Sequence, residues 1–188
     1  MSKADTDERK TILKTVRIQE SLAHSLEEEA ADKGTTVNAD INSIINQHFS
    51  WDKKVREFGF VTLPKVTFMS LIKELDDKAM VRIGREVLPA MFEEMAELWF
   101  QGTTPEKILD AINTRFRYDA LMHVETSKQG DMYTIVFRHE FGRKWSLMVE
   151  SAARELTKRY LHVEPRISVG DSVVTVSYKF KPRSDVES

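Results

Sequence analysis

The alternation of apolar and polar positions near the start of the chain changes its period without an intervening loop. Over residues 11–19, Ile12, Val16 and Ile18 share one face of an extended chain, a period of two that predicts a short β-strand. From Glu20 onward the apolar residues follow helical spacing instead. A strand that runs directly into a helix has no neighbouring segment of its own chain with which to pair. The pattern therefore predicts that this strand pairs with a partner.

The helix that follows the strand is predicted to end at Lys33-Gly34, because glycine suits the left-handed position after a helix. Thr35 or Thr36 is then predicted to cap a second helix. The apolar stripe of this second helix runs from Val37 to Phe49 at a spacing of three and four residues.

The rest of the chain alternates between helical and strand periods. Residues 51–59, "WDKKVREFG", are predicted to be a linker, with an extension of the second helix as the alternative. Beyond them, the predicted elements are a short strand at 60–64, helices at 66–76, 77–101, 102–116 and 143–161, and strands at 118–126, 132–139, 163–169 and 172–180. This order predicts an α+β domain with an antiparallel sheet over residues 60–182, preceded by a module at 11–50 and a mobile arm at 1–10.

Composition narrows the classes of protein. The 188 residues include no cysteine, which excludes disulfides, a thiol nucleophile and thiolate metal ligands. The start, "MSKADTDERK", lacks the apolar core of a secretory signal, and no apolar run approaches the roughly 18 residues of a membrane span. A cytoplasmic protein that does not contact a membrane is therefore expected.

Four features of residues 11–50 resemble one family. They are the strand "VRI" (16–18), the turn at Gly34, the "TVN" that opens the second helix (36–38), and the helix stripes of Leu22, Leu26, Ile41, Ile45 and Phe49. Together they resemble the ribbon-helix-helix (MetJ/Arc) family of DNA-binding proteins. The resemblance implies an intertwined homodimer, in which the strand pairs antiparallel with the same strand of a second chain. Such a two-stranded ribbon enters the major groove of double-stranded DNA.

The resemblance also implies roles for particular residues. Side chains on the outer face of the ribbon would contact base edges, and here these are Leu13, Thr15 and Arg17. Lys14 would contact phosphate. The backbone amides at the start of the second helix, at Thr36, Val37 and Asn38, would hold a further phosphate.

The net negative charge of the N-terminal module argues against DNA binding. Residues 1–50 hold six basic and nine acidic side chains, and the whole chain has a formal charge of −2. Because affinity for DNA comes largely from neutralising phosphates, few phosphate contacts are expected. The alternative is an interaction protein, an antitoxin or a scaffold, that uses the module only to dimerise.

Three features of the C-terminal domain are candidates for binding. Arg138, His139, Arg143 and Lys144 surround a strand-to-helix turn and would form an anion or effector site, or else are solvated basic residues. The histidines at 123, 139 and 162 match no metal-ligand spacing, so no metal site is predicted. The Met- and aromatic-rich stretch at 80–100 would line an apolar pocket, or else form plain core or a dimer interface.

No nucleophile elbow, phosphate loop or zinc-protease motif is present in the sequence. Neither catalysis nor a cofactor is therefore expected. The sequence predicts a homodimeric, cytoplasmic transcriptional regulator, whose C-terminal domain serves oligomerisation or the sensing of a small-molecule effector.

Overall fold

The computed structural model describes residues 11–118 and 121–179, and it divides into two compact units. The first unit ends at Phe49 and the second begins at Ser50. The predicted arm at 1–10 lies outside the described residues. So do two residues of the predicted strand at 118–126, and residues 180–182 at the end of the predicted domain.

The chain is an α+β protein with an antiparallel sheet. The α-helices are α1 (Glu20–Asp32), α2 (Val37–Gln47), α3 (Lys53–Phe58), α4 (Lys65–Glu74), α5 (Asp77–Arg82), α6 (Leu88–Phe100), α7 (Pro105–Tyr118) and α8 (Arg143–Leu156). Single π-helical turns lie at His48–Asp52, Ile83–Val87 and Thr157–Leu161. The strands are β1 (His123–Gln129), β2 (Met132–Arg138), β3 (Arg166–Val169) and β4 (Val173–Lys179).

The first unit is a pair of helices joined by a tight turn. Gly34 has a φ of 63°, and its amide and that of Thr35 bond back to the last carbonyls of α1, as predicted for the helix end. Thr36 caps α2, since its side-chain oxygen accepts a hydrogen bond from the Ala39 amide at 3.2 Å. The sequence therefore predicted both the turn and the cap correctly.

The predicted strand at 11–19 is not formed in the single chain. Among the described residues, this segment makes no ladder with any other segment, and it has no regular secondary structure. A β-strand requires a hydrogen-bonded neighbour, and the sequence offers none close by in the same chain. The ribbon of a ribbon-helix-helix fold is therefore not present in one copy of this protein.

Two smaller predictions also differ from the structure. Residues 60–64, predicted as a short strand, have no strand pairing; Pro64, which immediately precedes α4, lacks the amide that a ladder needs. Residues 51–59, predicted as a linker, are helical as far as Phe58, which was the stated alternative. Gly59, with a φ of 90°, then ends α3.

The sheet of the second unit has the strand order β1-β2-β4-β3. Two hairpins supply its outer pairs, and the central pair β2–β4 places Ile135 opposite Val176 and Phe137 opposite Val174. These apolar side chains share one face of the sheet. On the other face, Thr134 and Ser177 lie within hydrogen-bond distance of each other, at 3.2 Å.

Helix α8 covers the apolar face of this sheet. Its strongly amphipathic sequence buries Trp145, Met148, Val149 and Ala152. Helices α6 and α7 pack beside it around a second cluster of buried residues. Pro89 lies in the first turn of α6, directly after the π-helical turn at Ile83–Val87, so the helical chain continues across it.

Candidate functional site

The residues predicted to read DNA bases are exposed in the first unit. Leu13, Thr15 and Arg17 lie in the segment that precedes α1, and so does Lys14. Leu13 is 95% exposed. All four side chains are therefore accessible to a large ligand.

The residues predicted to hold a phosphate lie in the first turn of α2. Thr36 and Asn38 are exposed, and Val37 is half-buried. The first amides of a helix have no partner within the helix, so they can bond to an anion. The Thr36 hydroxyl already accepts from one amide of this turn, that of Ala39.

The one acidic residue of this first turn, Asp40, is paired. It is 3% exposed, and its Oδ1 accepts a hydrogen bond from Lys33 Nζ at 2.8 Å. Lys33 also bonds to Glu29 at 2.5 Å, and the two carboxylates, Asp40 first, raise its pKa. Lys33 is thus engaged by two acids, which leaves Lys14 and Arg17 as the other basic side chains of residues 11–49.

The described residues of the first unit, 11–49, do not form a hydrophobic core of their own. Within residues 11–49, the buried residues are Ala30 and Asp40. Large apolar side chains along the whole unit are instead exposed, among them Ile12, Val16, Ile18, Leu22, Ile44, Ile45 and Phe49. Val16 is 67% exposed and Phe49 is 63% exposed. An apolar surface of this extent on a small helix pair is typical of a face that another chain covers.

The four residues of the predicted anion site are engaged in different ways. Arg138 lies 3.7 Å from Glu125 on the adjacent strand, and Lys144 donates to the Lys73 carbonyl at 2.7 Å. His139 is buried, and Arg143 is exposed. Arg138 and Lys144 thus have partners within the protein, and an anion site at these four residues stays a prediction.

His139 is instead part of a buried hydrogen-bonded pair. Its Nε2 lies 2.9 Å from Ser146 Oγ, and its Nδ1 accepts from the Phe141 amide at 3.3 Å. Since Nδ1 is the acceptor, the proton of the neutral ring is on Nε2, and the ring donates to the serine. A histidine that activates a serine nucleophile must accept from it, and Ser146 has no exposed surface. The pair therefore holds the turn before α8 in place, a role that the sequence alone did not indicate.

The other histidines named above do not assemble a metal site. His123 lies 3.4 Å from Glu125 on the surface, and His162 follows the π-helical turn at Thr157–Leu161. Among the described residues, no group of three side chains of histidine, cysteine, aspartate or glutamate is placed to hold a metal ion.

A cavity lies inside the second unit, between the apolar face of the sheet and helices α6, α7 and α8. Its volume is about 160 Å³, and its wall includes Met91, Phe92, Ile112, Leu121, Met148 and Leu156. Only part of the stretch at 80–100 contributes to this wall; Met80 and Met95 are buried in the core. The remaining wall comes from segments far apart in the sequence, whose proximity no local pattern reveals.

Comparison with protein-family models and with curated proteins found no match to this chain. In the part of the chain that the structure describes, no helix is both long and apolar enough to cross a bilayer.

Proposed function

We propose that this chain is a homodimeric, sequence-specific DNA-binding regulator of transcription, of the ribbon-helix-helix type. In the dimer, residues 11–19 of two chains pair as an antiparallel ribbon, and α1 and α2 of both chains enclose a common core. The ribbon enters the major groove, where Leu13, Thr15 and Arg17 contact base edges. Lys14 and the amides at Thr36, Val37 and Asn38 contact phosphates.

The observation that carries the proposal is the unpartnered apolar surface of the first unit. Ile12, Val16 and Ile18 alternate with the polar residues of the same segment, and all three are exposed in the single chain. Pairing two such segments would bury these side chains and satisfy the backbone groups together. The same alternation leaves Thr15 and Arg17 on the opposite, outer face of the ribbon.

A second candidate function is dimerisation alone, as in an antitoxin or a scaffold. The observation that favours it is charge: residues 11–49 hold three basic side chains and six acidic ones, a net charge of −3. The second unit is built around a sheet and buried clusters, whereas an antitoxin commonly binds its partner through a short disordered segment. The folded second unit therefore fits a scaffold better than an antitoxin.

The test is a selection of random duplex DNA by the purified protein at low salt. The expected result is an enriched motif with two symmetric half-sites, which Arg17→Ala loses. A bidentate arginine–guanine contact is worth about 1–3 kcal/mol, and a dimer makes two of them. Arg117→Ala, which removes an exposed arginine of α7, is the matched control and should retain the motif.

Sedimentation of the same variants separates the two candidate functions. Arg17→Ala should remain dimeric, because the arginine is on the outer face of the ribbon. A dimeric wild-type protein that enriches no motif would overturn DNA recognition and leave the segment as a dimerisation device. A monomeric wild-type protein would overturn both.

A further inference from the structure

The cavity of the second unit is walled by side chains of α6, α7, α8 and the sheet, all of which belong to that unit. A well-packed core has few voids larger than a water molecule, whereas this cavity measures about 160 Å³ and is partly open to solvent. In another protein, an apolar cavity of about 150 Å³ binds benzene. The space is therefore large enough for one aromatic ring, and a small molecule can reach it without unfolding the protein.

Three phenylalanine rings of the wall form a continuous series. The ring of Phe116 meets that of Phe92 edge to face, with ring centres 6.5 Å apart, and it meets that of Phe137 in the same way at 5.5 Å. Aromatic rings prefer such contacts with one another, and methionine sulfur makes favourable contacts with them. The wall also holds three methionines: Met91, Met122 and Met148. A further aromatic ring therefore suits this wall better than a plain alkyl chain does.

The polar atoms of three wall residues are closed to a ligand. Among the described residues of the wall, nitrogen or oxygen is carried by five side chains: Arg115, Trp145, Thr157, Tyr160 and Tyr178. The Thr157 hydroxyl donates to the Ala153 carbonyl at 2.8 Å. The Tyr160 hydroxyl donates to Glu93, and burial together with this carboxylate raises the pKa of Tyr160 to about 12. The indole Nε1 of Trp145 has almost no exposed surface, so a molecule in the cavity does not reach it.

The other two polar side chains bring no unengaged charge to the cavity. The Arg115 guanidinium lies over the rings of Phe60 and Trp51, 4.9 and 5.8 Å from their centres, and neither ring lines the cavity. Burial raises the pKa of Tyr178, whose ring stacks on that of Tyr133, so its hydroxyl stays protonated and neutral. A charged ligand would lose its water here and find the guanidinium of the described wall already engaged. An uncharged ligand therefore fits the site.

We propose that this cavity binds an uncharged molecule built on a single aromatic ring, which packs against the phenylalanine series and contacts Met91, Met122 and Met148. Burial of apolar surface supplies the affinity. The ligand also restores packing that the empty space lacks, so its binding stabilises the second unit. Every residue of the wall belongs to the second unit, so this binding does not depend on DNA recognition.

The first experiment titrates toluene into the full chain, with the methionine methyl groups isotopically labelled for NMR. The methyl signals of Met91, Met122 and Met148 should shift along one saturable curve, because an aromatic ring in the cavity lies beside them. Those of Met69 and Met132 are the internal control and should stay in place, since neither residue lines the cavity. Replacing each methionine by leucine, one at a time, assigns the signals.

The second experiment fills the cavity. Ala152 is buried on α8 and lines the cavity, so Ala152→Leu should raise the Kd of toluene about tenfold or more, because the added carbon atoms occupy space that the ring needs. Ala90→Leu adds the same atoms at an exposed position of α6 outside the wall and should bind as the wild type does. If Ala152→Leu does not fold, the methyl shifts of the wild type still decide whether the ring lies in this cavity.

Benzoate tests the class of ligand. It carries a carboxylate where toluene has a methyl group, and it should bind about tenfold or more weakly than toluene, because the carboxylate loses water on entering the cavity. A Kd of benzoate equal to or below that of toluene would mean that the site takes anions, with Arg115 as their partner, and the uncharged class would be wrong.

Three further results would overturn the proposal. Toluene, added up to its solubility limit, shifts none of the three wall methyl signals; or the signals of Met69 and Met132 shift as far as those of the wall; or folded Ala152→Leu binds toluene as the wild type does. The first result means that the cavity stays empty, and the other two mean that toluene binds elsewhere on the protein.

Discussion

His139 lies buried directly after β2, where its ring bonds to Ser146 at the start of α8 and accepts the Phe141 amide. Burial lowers the pKa of this histidine below its usual value of 6.5, because the charged ring would lose water without gaining an anion. The hydrogen-bond partners of the ring, Ser146 and the Phe141 amide, are both uncharged. The neutral ring is therefore the form that stabilises the fold.

This pKa shift predicts that the second unit loses stability in mild acid. Below pH 6.5 the unfolded chain binds a proton that the folded chain does not. The stability that the neutral His139 ring contributes is therefore fully present above pH 6.5. It is lost as the pH falls towards the lower folded pKa. Urea unfolding followed by tryptophan fluorescence at pH 7.5 and 5.5 measures the difference.

Substitution assigns this pH effect to a single ring. His139→Gln should remove much of the difference in unfolding free energy between the two pH values. His123→Gln changes an exposed histidine and should preserve the difference. An undiminished pH dependence in His139→Gln would assign the effect to other groups.

At the level of elements, α8 approaches the π-helical turn at Ile83–Val87 through a glycine. Gly84 is buried, and a Cβ built on it would collide with the Met148 carbonyl oxygen of α8. The neighbouring hydrogen bond from Ser151 Oγ to the Val81 carbonyl, 2.9 Å long, joins α8 to the end of α5, just before this turn. Glycine is needed here for close packing, because the φ of Gly84 is not positive.

Gly84→Ala should therefore lower the free energy of unfolding by about 1–3 kcal/mol, the usual cost of overpacking, since helix backbone must move to make room. Urea unfolding followed by tryptophan fluorescence measures this loss of unfolding free energy. Gly130→Asn is the control: its surroundings are open, and asparagine tolerates the left-handed backbone of that turn. A Gly84→Ala variant as stable as Gly130→Asn would show that α8 can shift without cost.

Elements whose causes are local were predictable from the sequence. The Thr36 cap, the turn at Gly34, the two hairpins and the buried stripe of α8 each follow from residues within a few positions of one another. The segment at 11–19 was predicted as a strand from a correct alternation, but its hydrogen-bond partner is not in the nearby chain. The partners of two residues of the predicted anion site were not predictable for a related reason: Arg138 lies beside Glu125 through strand pairing, and Lys144 reaches the Lys73 carbonyl near the end of α4.

The cavity could not be predicted from the sequence, because its wall residues are not neighbours in the chain. Met91, Ile112, Leu121 and Met148 lie far apart in the chain and meet only when the helices pack on the sheet. Helical spacing places Trp145 on the buried face of α8. That its N–H would lack an acceptor depends on every neighbour around it, which no periodicity specifies.

For the whole molecule, the proposed DNA contact has to overcome a net acidic chain. With Lys33 engaged by Glu29 and Asp40, Lys14 and Arg17 are the other basic side chains of residues 11–49. Each phosphate contact contributes about −0.9 to the slope of log K against log salt concentration. Two copies of Lys14 in a dimer thus contribute about −2.

Lys14→Ala should accordingly make this slope shallower by about 2 without changing the enriched motif. Affinity measured by fluorescence anisotropy at several salt concentrations provides the slope. Lys158→Ala removes an exposed lysine of the second unit and should leave the slope unchanged. An equal slope in Lys14→Ala and wild type would contradict the role of Lys14 as a phosphate contact.

The two units should also differ in how their stability depends on protein concentration. The first unit exposes its apolar residues and is expected to fold only as a dimer, so dilution should unfold it, whereas the second unit has buried clusters of its own. The three tryptophans, at 51, 99 and 145, all belong to the second unit, so their fluorescence reports mainly on that unit. Far-UV circular dichroism reports on both units, α1 and α2 included.

Thermal unfolding at protein concentrations a hundredfold apart, followed by both signals, tests this difference. The circular dichroism should show a transition whose midpoint falls on dilution, while the fluorescence midpoint stays fixed. Ile45→Glu places a charge in the proposed dimer core and should remove the first transition at every concentration, leaving the fluorescence unchanged. A first transition independent of concentration would mean that α1 and α2 fold without a second chain, and the ribbon would then lose its physical basis. A fluorescence midpoint that also falls on dilution would place a second dimer contact in the sheet-containing unit.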